Sequence, residues 1–184
     1  MAVTLKRPFG PLGWLQVYRL YRQAFPPSER KPFWLIIQMT CRKKTDVWKL
    51  MSNGRFAGFA STINGKEMVM LDYLAVDPRA RSSGIGTEAL KLLQATYADR
   101  GFFVEIESPF EEVPDKQDRI RRRAFYRRCG LEPLGVMAVV FGVKMELLGR
   151  GCRLDFDSYQ AFYRENYSDY AAQHLEKASH PENL

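Results

Sequence analysis

Hydrophobic residues in the first part of the chain recur with the spacing of helices. In residues 13–25 they fall three or four positions apart, which predicts a helix with one apolar face. The residues of this face are Trp14, Val17, Leu20, Tyr21 and Phe25. Two prolines then end this helix. A second helix is predicted to begin near Pro32, where the apolar run FWLIIQM follows. The preceding AVTLKRPF is compatible with a short strand.

The pattern changes to strands after Thr45. Turns at Asn53-Gly54 and Asn64-Gly65 separate three runs of β character, which predicts an antiparallel meander of DVWKLM, RFAGFASTI and KEMVMLDYLAV. The segment GIGTEALKLLQATYADR then carries an apolar helical stripe, and FFVEIES at residues 102–108 has the composition of a buried strand. Because a helical crossover precedes this strand, we expect it to pair parallel to LDYLAV.

The last third predicts another helix, two strands and a final helix. The acidic loop FEEVPDKQ leads into DRIRRRAFYRRCG, a helix expected to end at Gly130. The runs VMAVVFG and VKMELLG predict a final pair of strands around Gly142. From Asp157 onward, aromatic residues at helical spacing predict one long helix that packs on the body of the protein.

Composition narrows the class of protein. A chain of 184 residues with 46% hydrophobic residues can bury one sizeable core, so a single domain is expected. No apolar run reaches the roughly 18–20 residues that a membrane span needs. The N-terminus also lacks an apolar signal segment, and the three cysteines lack disulfide or metal-ligand spacing. We therefore expect a cytoplasmic protein with no metal site and no membrane partner.

Charge and histidine content limit the chemistry. The formal net charge of +7 and pI of about 9.4 favour anionic partners, such as phosphate-bearing cofactors, nucleic acids or membrane surfaces. The two histidines, His174 and His180, lie near the C-terminus, far from the glycine-rich segment RSSGIGTEAL. A catalytic histidine is therefore not expected, and a general base would be a carboxylate, a tyrosine or a water relay.

The glycine-rich segment has the features of a phosphate-binding loop. Residues 84–89 fit the dinucleotide fingerprint, yet seven residues separate Gly84 from the strand that ends near Val76, whereas that fingerprint begins directly after a strand. The sequence still offers backbone N–H groups, unobstructed at two glycines, that lead into a helix N-terminus. The site therefore suits a phosphate other than that of a dinucleotide, although a plain turn before a helix is the alternative.

Two motifs resemble the GNAT superfamily of N-acetyltransferases. Residues 81–86, Arg-Ser-Ser-Gly-Ile-Gly, resemble its acetyl-CoA loop, Arg/Gln-x-x-Gly-x-Gly/Ala, which also follows a strand. Residues 124–131 resemble its helix-to-strand motif, in which a tyrosine precedes a Gly-Phe-like pair, and here Leu131 replaces the phenylalanine. The order of the flanking elements is also similar, over about residues 1–149.

The resemblance implies an α/β fold of the α+β type. It implies a single domain with a mixed, mostly antiparallel sheet, splayed central strands and flanking helices. Residues 1–149 would form the acetyltransferase domain. The resemblance is silent about residues 150–184, which we expect from their aromatic stripe to form a C-terminal helical extension packed on this domain. A homodimer is possible, since the aromatic helix of the extension could cover a partner as well as its own core.

The resemblance also implies acetyl transfer from acetyl-CoA, as cosubstrate, to a primary amine. The pantetheine arm would bind backbone groups of one strand, and the pyrophosphate would bind the N–H groups of the loop. Mapped onto this sequence, the cofactor-binding residues are Leu74, Ala75, Val76, Arg81, Ser82, Ser83, Gly84, Ile85, Gly86 and Thr87. The Tyr126 hydroxyl would donate to the departing thiolate, and one or two arginines among Arg122, Arg123, Arg127 and Arg128 would reach the phosphates.

Three carboxylates are candidates for the base. The acceptor amine arrives protonated, since its pKa is near 10 in water. Glu105 is the first choice because some family members carry a glutamate at the equivalent position, and Glu107 and Asp72 follow. Two other functions remain open: a GNAT-like module that binds CoA without catalysis, and a basic domain that binds nucleic acid through its arginine-rich helix.

Overall fold

The computed structural model describes residues 2–179. The chain forms two compact units, the first made of Met1–Asn64 with Leu71–Thr96 and the second of Gly65–Met70 with Tyr97–Leu184. Within the described residues, eight strands form a sheet in the order β1-β2-β3-β4-β5-β7-β6-β8. The mixed α/β architecture with a mostly antiparallel open sheet confirms the fold class that the sequence predicts.

The first unit contains the predicted meander. Its strands are β1 (Val3–Lys6), β2 (Thr45–Ser52), β3 (Arg55–Asn64) and the larger part of β4 (Met68–Val76). β2 pairs antiparallel with β1 on one side and with β3 on the other. The turn between β2 and β3 places both Asn53 and Gly54 at positive φ, as an Asn-Gly hairpin turn requires.

Two helices form an aromatic core with this sheet. They are α1 (Gly10–Ala24) and α2 (Phe33–Cys41), and both begin within three residues of the predicted positions. Tyr21 of α1 packs edge-on against Tyr73 of β4 at 5.0 Å between ring centroids and lies near Phe33 of α2 at 5.7 Å. The cluster also contains Val17, Leu20, Ile36, Val47, Phe59 and Ala75.

The chain between α1 and α2 is fastened to β4 by tyrosine hydroxyls. The Tyr73 hydroxyl donates to the Glu29 carbonyl at 2.8 Å, and the Tyr21 hydroxyl donates to the Lys31 carbonyl at 3.0 Å. The Lys31 ammonium also pairs with the Asp72 carboxylate at 2.6 Å. This segment, which contains three prolines, is therefore held in one conformation against the strand that carries the predicted cofactor residues.

The helix α3 (Ile85–Thr96) follows the glycine-rich loop. It buries an apolar stripe made of Ile85, Ala89, Leu90 and Leu93, which largely matches the predicted stripe. Because Ile85 is the first residue of the helix and is only 3% exposed, the start of α3 is anchored in the core immediately after the loop.

The second unit contains the remaining strands and the arginine-rich helix. Its elements are β5 (Gly101–Glu107), α4 (Lys116–Arg128), β6 (Glu132–Val140) and β7 (Val143–Arg150). β7 pairs antiparallel with both β5 and β6. Gly130 follows α4 with a φ of +83°, so it ends the helix in the conformation that the sequence predicts for it.

The C-terminal extension differs from the single long helix that the sequence predicts. It forms α5 (Phe156–Asn166), a short α6 (Asp169–Gln173) and a strand, β8 (Leu175–Ala178), that pairs antiparallel with β6. The Ser168 hydroxyl accepts a hydrogen bond from the Ala171 backbone N–H and starts a new helix, which interrupts the aromatic stripe. Tyr170 is therefore exposed, whereas Tyr159 and Tyr163 are buried. His180 and the tail PENL lie outside the described residues.

Candidate functional site

Six consecutive backbone N–H groups in the first unit have no acceptor in the described part of the chain. They run from Ser82 to Thr87, and the first helical hydrogen bond near them is donated by the next residue, from the Glu88 N–H to the Gly84 carbonyl at 3.0 Å. The first three residues are exposed, so their N–H groups face solvent. A row of free donors at a helix N-terminus is an anion-binding arrangement.

The loop backbone adopts a conformation that brings these donors together. Ser82 has a φ of +61° and Gly84 a φ of +78°, so left-handed residues alternate with right-handed or extended ones. Such alternation turns successive N–H groups toward one concave surface. A Cβ added at Gly84 would meet nothing within 4 Å, so the surface above the loop is open. The residues therefore fit a pyrophosphate by donor chemistry and by available space.

Two arginines near the loop differ in whether their charge is already paired with a carboxylate. The Arg79 guanidinium makes a two-point contact with Asp77, at 3.0 and 2.9 Å. This contact holds the pKa of Asp77 at about 2. Arg81 instead donates to the Val76 carbonyl at 3.4 Å, is exposed, and has no ion pair among residues 2–179. Arg81 can therefore give a positive charge to an anion on the loop, as predicted, whereas the charge of Arg79 is already neutralised.

The predicted pantetheine strand is the end of β4. Leu74, Ala75 and Val76 are its last three residues, and the Arg81 side chain connects this end to the loop through the Val76 carbonyl. On the β3 side, Gly58 lies so close that an added Cβ would be 2.4 Å from the Ala75 carbonyl oxygen. The strand end, the loop and the start of α3 are therefore brought together within the first unit.

Tyr126 lies in the second unit, near the C-terminal end of α4, and is 8% exposed. Burial raises the pKa of its hydroxyl to about 12, although the nearby Arg122 guanidinium acts in the opposite direction. Its hydroxyl makes no hydrogen bond to any of residues 2–179. Tyr126 is therefore protonated at neutral pH and is a proton donor rather than a base.

Glu105 is held by two tyrosines that the sequence assigned to packing. It lies on β5, and its carboxylate accepts hydrogen bonds from the hydroxyls of Tyr159 at 2.8 Å and Tyr163 at 2.9 Å, both on α5. Burial and the Glu105 charge raise the pKa of Tyr159 well above its ordinary value, so this hydroxyl remains a donor. The sequence signal was a glutamate in an apolar strand, which needs donors, together with a stripe of tyrosines that could supply them.

The other two candidate bases are ion-paired. Glu107 on β5 contacts both Arg119 at 3.2 Å and Arg122 at 2.9 Å. Asp72 on β4 is paired with Lys31 and its side chain is only 8% exposed. Each of these two carboxylates is therefore already engaged with a cationic side chain of the protein.

The arginines of α4 are largely neutralised within the second unit. Arg123 donates two hydrogen bonds to the buried Glu146, at 2.8 and 2.9 Å, in a bidentate geometry. Arg119, Arg121, Arg122 and Arg127 each contact a carboxylate. Arg128 is exposed and has no ion pair within the described residues, so of the four arginines predicted to reach phosphates it is the one with an uncompensated charge.

The acidic loop before α4 is paired in the same way. Glu111 contacts Lys144, Glu112 contacts Lys116 and Asp115 contacts Arg119. The negative charge of the loop is therefore mostly compensated within the second unit. Among residues 2–179, no group of three or more histidine, cysteine or acidic residues could hold a metal ion.

Several solved structures share the fold. A GNAT-family protein from Bacteroides thetaiotaomicron superposes with a TM-score of 0.72 at 19% identity, over 94% of this chain and 99% of that chain. An aminoglycoside 6'-N-acetyltransferase from Enterococcus faecium gives 0.62 at 16% identity, over 84% and 100%. RimL, the ribosomal L7/L12 alpha-N-protein acetyltransferase, in complex with coenzyme A, gives 0.62 at 14% identity, over 84% and 97%.

No curated protein matches the sequence significantly. The family assignment comes instead from the acetyltransferase (GNAT) family model, which matches residues 14–131 and so includes β4, the loop, β5 and Tyr126. This match covers more than half of the chain and agrees with the shared fold. The chain therefore belongs to the GNAT family of acetyltransferases and is an acyl-CoA N-acyltransferase.

Proposed function

We propose that the protein transfers the acetyl group of acetyl-CoA to a primary amine by direct attack in a ternary complex. The observation that carries this proposal is the row of six free N–H groups from Ser82 to Thr87, at the position of the family's cofactor loop. These donors suit the pyrophosphate of acetyl-CoA, and the exposed Arg81 adds a charge beside them. The related RimL structure contains coenzyme A, which supports the same cosubstrate here.

Acetyl-CoA supplies an activated thioester. The residues of the protein position the two substrates and transfer the protons. The backbone of Leu74, Ala75 and Val76 holds the extended arm of the cosubstrate through strand-like hydrogen bonds. A backbone N–H near Val76 stabilises the charge that develops on the carbonyl oxygen. Tyr126 donates the proton that the departing thiolate needs, since its raised pKa keeps it protonated.

Glu105 accepts the proton of the incoming ammonium. Among the three candidate carboxylates it has hydroxyl donors, Tyr159 and Tyr163, where Glu107 and Asp72 face cationic partners. A neutral donor orients a carboxylate without cancelling its charge. These two hydroxyls orient the Glu105 carboxylate, which can then take the proton of a cationic acceptor.

The two rival functions have less support. Nucleic-acid binding through α4 would need free arginines, yet Arg119, Arg121, Arg122, Arg123 and Arg127 each contact a carboxylate. A module that binds CoA without catalysis would have no use for Tyr126, whose hydroxyl makes no hydrogen bond within the described chain. We also place the activity in the cytoplasm, where acetyl-CoA and reduced cysteines are both available.

The proposed reaction predicts that primary amines stimulate release of CoA thiol. The purified protein is incubated with acetyl-CoA and a panel containing a polyamine, an aminoglycoside, free amino acids and a peptide with a free N-terminus, and thiol is measured with a chromogenic disulfide. At least one class should raise the rate well above hydrolysis, and its N-acetylated form should be inactive. Tight acetyl-CoA binding with no stimulation by any amine would favour the non-catalytic module.

The charge of Arg81 predicts a specific effect on cosubstrate affinity. Arg81→Glu should weaken acetyl-CoA binding by about tenfold or more, because it places an anion beside the pyrophosphate. Arg79→Glu, two residues away, makes the same change in net charge where the arginine is already paired with Asp77, and should have a smaller effect. Calorimetric titration measures both. Equal losses in the two variants would mean that net charge acts alone, without a site at the loop.

The role of Tyr126 predicts a split between turnover and binding. Tyr126→Phe removes the hydroxyl and keeps the ring against Phe125, so we expect turnover to fall by about 100-fold and acetyl-CoA affinity to change little. In the wild-type enzyme, the rate should show no loss from tyrosine ionisation below about pH 11, since the pKa of Tyr126 is about 12. Steady-state rates as a function of pH and calorimetry provide both readouts, and unchanged turnover would remove this role.

The tyrosines around Glu105 predict a change in the acidic limb of the pH profile. Glu105→Gln should lower kcat by about 100-fold without changing acetyl-CoA affinity. Tyr163→Phe removes one donor from the ionised carboxylate, so the acidic limb of kcat/KM should move to higher pH. Tyr170→Phe is the matched control, because Tyr170 is exposed and contacts Phe141 and His174 instead. A Tyr163→Phe profile identical to that of the control would contradict the assignment of Glu105 as the base.

A further inference from the structure

The outer surfaces of α1 and α2 carry large apolar side chains that the core does not use. Phe9, before α1, is 93% exposed, Leu12 is 77% exposed, and Trp34 of α2 is 64% exposed. Leu15 and Ile37 are also exposed. We call these five residues, all in the first unit, the apolar face. They do not serve the proposed acetyl transfer, whose residues lie on β4, the loop, β5 and α4.

The apolar side chains of the two helices lie side by side. Phe33 of α2 contacts Tyr18 of α1, with 5.0 Å between ring centroids. Ile37 is one turn from Phe33 and Leu15 is one turn from Tyr18, and residues three or four positions apart share a helix face. Exposed apolar side chains therefore lie one turn from the contact between the helices, Leu15 beside Tyr18 on α1 and Ile37 beside Phe33 on α2.

The apolar face lies in the strongly basic part of the chain. Residues 1–64 contain eleven lysines and arginines and two acids, a net charge of +9, whereas residues 65–184 have 17 basic and 19 acidic residues, a net charge of −2. On α1, Arg19 and Arg22 continue the stripe of Leu12 and Leu15 at the same helical spacing. Within the described residues, exposed cations without an ion pair in this part of the chain include Lys6, Arg19, Arg22, Arg42 and Lys43.

We propose that the apolar face binds an anionic membrane surface, with the apolar side chains inserted at the level of the headgroups and the cations on lipid phosphates. Exposed aromatic and aliphatic side chains bordered by lysine and arginine are the features of interfacial binding. Tryptophan favours the membrane interface, and the cytoplasmic leaflet is anionic. A second copy of the chain is a less favourable partner, because its residues 1–64 carry the same net charge of +9 and the two surfaces would repel each other.

This binding needs no membrane span. Within the part of the chain that the structure describes, no helix combines the length and apolar character for crossing a bilayer. The sequence-based expectation of no membrane partner rested on the same absence of a long apolar run. Attachment to the surface depends instead on the apolar area inserted and on the cations around it, and both are present here.

The test is co-sedimentation of the full chain with vesicles. We expect binding to vesicles of 30% phosphatidylglycerol in phosphatidylcholine, weak binding to pure phosphatidylcholine, and loss of binding as salt rises. The fluorescence of Trp34 should shift to shorter wavelength on binding, and this shift should disappear in Trp34→Phe. Equal binding to both vesicles, or binding to neither, would overturn the proposal.

Matched variants distinguish binding through the apolar face from nonspecific hydrophobic adsorption and from an effect of net charge alone. Leu12→Ser/Trp34→Ser should lower partitioning by at least about tenfold, whereas Phe141→Ser, which changes an aromatic residue 55% exposed in the second unit, should not. Arg22→Glu should lower partitioning by about tenfold, and Arg153→Glu, exposed in the second unit, by much less. Each variant should have the circular dichroism spectrum and the acetyl-CoA affinity of the wild type, which shows that it is folded. A loss of vesicle binding with unchanged acetyl-CoA affinity then tests the membrane proposal independently of the proposed function.

Two results would assign the apolar face to another partner. A dimer in solution that Leu12→Ser/Trp34→Ser dissociates would mean that a second copy covers this face. Binding to polyglutamate but not to phosphatidylglycerol vesicles, with the same variants weakened, would mean that the partner is an acidic protein. In either case the membrane proposal is wrong.

Discussion

A run of backbone N–H groups with no acceptor among residues 2–179 is the constraint around which the first unit is organised. Folded proteins pair nearly all such groups, so six in a row from Ser82 to Thr87 mean that the loop leaves them for water or a ligand. The left-handed φ of Ser82 costs free energy that neighbouring structure must offset. The buried Ile85 and the stripe behind it supply that support, because they fix the start of α3. The loop can therefore keep its donors exposed without collapsing onto the protein.

The second unit meets a different constraint, the burial of charge. Glu146 is almost fully buried and accepts hydrogen bonds from two guanidinium nitrogens of Arg123, while Glu107 forms ion pairs with two arginines. Removing one partner from such pairs leaves an uncompensated charge, which is why they are usually complete. Glu105, on the same strand as Glu107, accepts hydrogen bonds from two tyrosine hydroxyls. Buried tyrosines as well as arginines therefore satisfy the carboxylates of this unit.

The sequence predicted what depends on neighbouring residues and missed what depends on distant ones. Helical spacing, Asn-Gly turns and Gly130 determine local geometry, so most elements lie within a few residues of their predicted bounds. The proposed anion-binding role of residues 81–87 also follows from local features, because glycines and a helix start suffice to suggest it. The hydrogen bonds to Glu105 join residues 54 and 58 positions apart, and no pattern along the chain pairs them. The strand β8 was not predicted for the same reason: its pairing with β6 joins residues about forty positions apart, and a helix was predicted in its place.

The small strand β8 has a consequence for the behaviour of the protein in solution. β6 contains the run VMAVV at residues 136–140, and a strand of this composition with an open edge is a template for edge-to-edge aggregation. β8 pairs with Met137, Ala138, Val139 and Val140 and replaces that edge with a strand of four residues that includes Glu176 and Lys177. The extension therefore protects the sheet from self-association. A chain that ends after β7, at Arg150, would keep β6 but lose β8, and so would lose this protection even with its loop and Tyr126 intact.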